Sequence, residues 1–130
     1  MTGETDLARL LAGLDPALDP QPWRFVTGPD PAPDALMTFR EAEGVTAIVS
    51  AEPDARDAFR RITLRVHSSL HAVGLTAAAA TRLTEIGVPA NVVAAYHHDH
   101  LFVPAADAER ALAALQALAR EALDRAGGGD

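Results

Sequence analysis

The stretch LTAAAATRLTEIGVPANVVAAYHHDHLFVP, residues 75–104, changes its hydrophobic period partway along, and the fold follows from that change. Leu75, Ala79, Leu83 and Ile86 recur at helical spacing, and Gly87 closes the run as a C-terminal cap. After it, VPANVVAAYHH and HLFVPA read as two strands of a hairpin. Upstream, Ile62, Leu64 and Val66 alternate with Thr63, Arg65 and His67, the pattern of a half-buried strand. Downstream, DAERALAALQALAREAL sets Ala108, Leu112, Leu115, Ala119 and Ala122 or Leu123 on one stripe, with Asp107 and Glu109 favouring the start of a helix. The order is strand, helix, strand, strand, helix. This is the split βαβ arrangement of ferredoxin-like folds, short of its last strand.

The first part of the chain has strands to spare. Leu7, Leu10, Leu11 and Leu14 mark a helix over 6–14, which DPALDPQP then stops with its prolines. WRFVT (23–27) is a short strand, GPDPAPD a loop, and residues 35–52 a hairpin turning at Gly44. PDARDAF (53–59) is the internal boundary. The expected organisation is an N-terminal half (1–59), a C-terminal half (60–125) and a disordered tail (126–130). The class is mixed α/β (α+β), with the halves sharing or completing antiparallel sheets.

Composition excludes several functions. The net charge is −7, which argues against nucleic acid and anionic membrane as partners. No apolar run approaches the roughly 20 residues of a membrane helix. All basic residues are arginine, so lysine chemistry is absent, and with zero cysteines so are thiolate and CxxC chemistry. No basic segment followed by an apolar run opens the sequence, so the expected location is the cytoplasm.

HHDH at 97–100 suggests a metal. If His98 and Asp99 form a two-residue turn, His97 and His100 face each other at roughly 5 Å between Cβ atoms. His67 is the available third ligand. A metal-binding protein or metal-assisted enzyme on this hairpin is the alternative reading. Successive strand residues point to opposite faces, however, and a stable site wants three or four ligands. His97 and His98 therefore read as a solvated hairpin tip. The same pairing puts Ala94, Tyr96, Leu101 and Val103 on one face, and Val93, Ala95 and Phe102 on the other. Both faces are apolar, so the one without helices needs a second layer. Ser68 and Ser69 with His71 lack a glycine elbow and an orienting carboxylate. No catalytic residue and no cofactor is expected.

From Gly74 to Leu115 the order of elements resembles the ACT-domain superfamily. The helix ends in EIGVPANVV, and Tyr96, Asp99 and Val103 hold the spacing of the hairpin that follows it in stand-alone proteins akin to aspartokinase regulatory regions, with animal cytosolic arginine sensors as distant relatives. The resemblance covers residues 60–120 and extends to residues 1–59 as a divergent ACT-like half. It implies a regulatory amino-acid-binding protein without catalysis, and a homodimer. The implied ligand contacts are Ser68, Ser69, Val73, Gly74, Leu75, Thr76, Asn91, Val92 and Asp99. Amides at Gly74, Leu75 and Thr76 would take the ligand carboxylate at a helix N-terminus. Strand carbonyls near Asn91, Val92 and Val93 would take its ammonium. Thr76, Ala77 and Ala78 stand where the arginine sensors carry an acidic residue, which points to a small neutral amino acid or to no ligand at all.

Overall fold

The strand carrying Ile62 and Leu64 is the seam of the molecule. In the computed structural model, which describes residues 6–69 and 71–128, the elements are α1 (Leu7–Ala12), β1 (Pro16–Gly28), β2 (Met37–Glu41), β3 (Gly44–Ser50), β4 (Phe59–Leu64), α2 (Leu75–Glu85), β5 (Asn91–Ala94), β6 (Asp99–Pro104) and α3 (Ala108–Gly128), the last led in by a 3₁₀ turn at Ala105–Asp107. One 6-stranded antiparallel sheet runs β2-β3-β1-β4-β6-β5. Its β1-β4-β6-β5 portion is the ferredoxin-like four, and β1 from the N-terminal half fills the place of the missing strand. The two halves share one sheet.

β1 is longer than its sequence suggests. Its 13 residues include Pro16, Pro20 and Pro22, which should exclude a ladder because proline donates no hydrogen bond. Two devices admit them. Pro16 is the first strand residue, and the pairing with β4 shifts between Leu18 and Pro22, so Pro20 sits in an irregularity. Asp19 holds it in shape, accepting from the Gln21 amide at 3.0 Å and from the Trp23 indole at 3.1 Å. Trp23 then pairs with both Phe59 of β4 and Ser50 of β3, so β1 changes its main partner midway.

The helices lie on one face. Leu10, Leu14, Ile62, Leu64, Leu83, Leu101, Val103 and Leu115 are fully buried in their common core, each worth about 1.5–3 kcal/mol of transfer free energy. In α3 the buried line is Ala108, Ala111, Leu115, Leu118 and Ala122, while Leu123 is exposed. The last turn of α2 closes as expected, with Gly87 at φ 73° and the Val88 amide donating to the Leu83 carbonyl at 2.9 Å. α3 continues through Gly128 rather than fraying at 126, because each further residue adds a hydrogen bond to an existing helix. Residues 129–130 of the expected tail lie outside the described residues.

No described helix packs on the opposite face. There Phe25 meets Phe59 and Phe102 edge to face, with centroids 5.3 and 5.6 Å apart, and the rings bury one another.

Candidate functional site

β4 ends at Leu64 directly opposite Asp99, the first residue of β6, and the chain returns from there to begin α2 at Gly74. This end of the sheet carries Asp99, and the loop that leads to Gly74 starts from it. Gly74 adopts φ 96°, a left-handed conformation that side chains resist, and a Cβ there would lie 3.2 Å from Leu7 Cδ2. α1 therefore roofs the start of α2, a contact that the periodicity of Leu7 does not reveal. As the N-cap, Gly74 offers no side-chain acceptor, and the first turn of α2 holds no acidic residue. Its leading amides, those of Leu75 and Thr76 among them, carry the partial positive charge of the helix without a side-chain cap.

Asp99 stands opposite the end of β4. Register places it on the helix-bearing face with Leu64 and Leu101, and only 9% of its surface is exposed. No hydrogen-bond or ion-pair partner meets its carboxylate among the described residues. Burial pushes its pKa above the ordinary carboxylate value, and His98 pulls it partly back. Beside it, the rings of His67 and His98 lie 5.0 Å apart and tie the loop after β4 to the hairpin.

The hairpin corrects the expected register. Its turn spans Ala95 to His98, closed by the Ala95 amide donating to the His98 carbonyl at 3.1 Å. Asp99 is thus a strand residue, not a turn residue. His100 stands opposite Val93 and Leu101 opposite Val92, so His97 and His100 are no cross-strand pair. The turn is centred on Tyr96 and His97, two residues before the expected centre at His98 and Asp99. Among the described residues no group of three or more His, Asp or Glu side chains could hold a metal ion.

The remaining expected residues are scattered. Ser69 accepts from the His71 amide at 3.0 Å, shaping the loop with its hydroxyl. Ser68 is half-buried, Val73 is 81% exposed and Leu75 belongs to the core. Asn91 begins β5 at the opposite end, on the helix-free face, where its amide donates to the Phe102 carbonyl at 3.3 Å. Val92 shares the face of Asp99 but sits further along the edge strand. Gly74, Leu75 and Thr76 follow one another at the start of α2, Asp99 begins β6 opposite the end of β4, and Asn91 lies on the other face.

The helix-free face has its own polar group. Arg61 pairs with Asp19 at 3.0 Å and lies over the Trp23 ring. Thr63 Oγ1 and His100 Nδ1 share a hydrogen bond of 2.9 Å. Burial, Arg61 and His98 all lower the His100 pKa, which disfavours the charged ring.

Two ACT-domain family models match the chain, one over residues 2–60 and one over 58–117. A Vibrio cholerae protein of unknown function, described as a possible transport protein, is 44% identical and superposes with a TM-score of 0.71, covering 82% of this chain and 91% of that one. An Agrobacterium tumefaciens protein (13% identity, TM-score 0.55, 76% and 84% covered) and the aspartokinase alpha and beta subunits (14%, 0.59, 79% and 95%) share the fold. No curated protein matches significantly. The ferredoxin-like reading of the sheet agrees with these likenesses.

Proposed function

The chain belongs to the ACT-domain family, and from that premise we propose that it is a non-catalytic regulatory protein that binds a free amino acid between the start of α2 and Asp99. The observation that carries this reading is Asp99, a residue with only 9% of its surface exposed whose carboxylate meets no hydrogen-bond or ion-pair partner among the described residues. Such a group is costly unless something pairs with it. An α-amino acid supplies the match: its carboxylate suits the uncapped amides from Gly74 onward, and its ammonium suits Asp99. Of the other expected contacts, Ser68, Ser69 and Val73 belong to the loop beside this site, and Thr76 to its helix. Asn91 is the weakest member, given its place on the other face.

The matches to the two family models meet at residues 58–60, which supports a division into halves at residues 59 and 60. The helix-free face, where Phe39 is 65% exposed, is the surface we assign to a homodimer. Ligand binding near Gly74 would act by biasing such an interface. No described helix is long and apolar enough to cross a membrane, which is compatible with a cytoplasmic setting.

Thermal melting against the twenty amino acids tests the proposal. Saturation with the right one should raise the midpoint by roughly 5–10 °C, and Asp99→Asn should remove the rise. If none of the twenty shifts the midpoint, amino-acid binding is wrong.

A further inference from the structure

At the other end of β4 a cleft of about 530 Å³ opens between the β1 irregularity, the turns before β4 and the start of the α3 segment. This is the size of small-molecule sites. We propose that it is a second ligand site, one that receives the oxyanion (phosphate or carboxylate) of a small anionic molecule.

Two arginines supply the recognition. Arg60 projects from β4, and its Nε donates to the Asp19 carbonyl at 2.8 Å. That bond orients the guanidinium while leaving its terminal amino groups without an acceptor among the described residues. Arg56 lines the same cleft from the preceding turn and has no partner there either. Asp54 also lines the cleft but pairs with neither arginine. Four other arginines of this acidic chain pair with its carboxylates: Arg61 with Asp19, Arg65 with Asp15, Arg82 with Glu85 and Glu121, and Arg110 with Asp107; what sets Arg56 and Arg60 apart is that both line the cleft. Two guanidinium groups without a carboxylate partner among the described residues, both lining one concavity, suit a phosphate or carboxylate.

The walls are preformed. Pro20, Pro22, Pro53 and Pro104 all line the cleft, and their fixed φ leaves little freedom to lose on binding. The Ala105 amide donates to the Ala58 carbonyl at 3.0 Å, and the Ala51 amide to the Pro22 carbonyl at 3.0 Å, so the separate segments are tied together. Asp19 thereby has two uses: its side chain shapes the β1 irregularity and its carbonyl aims Arg60. The cleft stands apart from Asp99, so the two sites can be lost independently.

Amide-resolved NMR of the full chain, titrated separately with inorganic phosphate and with acetate at matched ionic strength, tests this. Saturable shifts at Ala55, Ala58, Ala105 and Ala106 are expected with at least one probe, and the better probe identifies the oxyanion. Arg60→Gln and Arg56→Gln should each weaken binding about tenfold. Arg56 is exposed and makes no hydrogen bond or ion pair among the described residues, so its replacement reads recognition rather than folding. Asp99→Asn should leave the titration unchanged. No saturable shift with either probe, or an unaltered titration in Arg56→Gln, overturns the proposal.

Discussion

Asp19 and Asp99 are both carboxylates that the sheet takes largely out of water, and they are treated in opposite ways. Asp19, with 20% of its side chain exposed, accepts from the Gln21 amide, the Trp23 indole and Arg61. Burial works against its charge, but those donors outweigh it and hold its pKa below the ordinary value. Asp99 is more deeply buried and meets no donor among the described residues, and burial pushes its pKa up. A carboxylate that builds the fold is surrounded by the groups that stabilise it. Asp99, left unpartnered among the described residues, is the group that our proposal assigns to a ligand.

The contrast breaks most visibly at Asp19. Asp19→Ala strands the Trp23 indole and Arg61 and loosens the β1 irregularity, so it should cost about 2–3 kcal/mol in urea unfolding. A cost below about 0.5 kcal/mol would mean those contacts do not hold the strand. Since the folded pKa of Asp19 is depressed, its contribution is present above the unfolded value of 3.8 and is lost as pH falls through the folded one.

Asp99→Asn should act in the other direction, adding about 1 kcal/mol at pH 7 without ligand. Its folded pKa is raised, so between 3.8 and that raised value the folded state binds more protons than the unfolded. Wild-type stability therefore falls as pH climbs through this window and stays lowered above it. Unfolding measured across pH should find the advantage of the variant at neutral pH and see it vanish below 3.8. A destabilising Asp99→Asn at pH 7 would show that Asp99 is a structural carboxylate like Asp19. The smallest effect belongs to the hairpin tip: His97→Ala, at an exposed turn residue, should stay within about 0.5 kcal/mol.

Where burial falls on one side of an element, the sequence spelled it out. Ile62 and Leu64, Leu101 and Val103, and the α2 line of Leu75, Ala79 and Leu83 all repeat at the period of their element and are all buried. The strand missing from the C-terminal half was legible for the same reason. β1 was not, because three prolines mask a ladder that an irregularity and one aspartate make possible. The hairpin register was lost among polar neighbours: nothing in AAYHHDH marks where the turn falls. The two faces survived that error, since Leu101 moves from opposite Tyr96 to opposite Val92, an even slip that keeps alternation intact. Gly74 was legible as the start of a helix, whereas the roof supplied by Leu7 was not, because a contact between distant elements leaves no periodic trace. The arginine cleft joins residues from three separated segments and was invisible for the same reason.

The most direct test is calorimetric titration of the wild-type chain and Asp99→Asn with the amino acid that most raises the melting midpoint. Saturable binding by the wild type, with the variant weakened at least about tenfold, is the predicted result. Equal binding by the two chains would contradict the role given to Asp99.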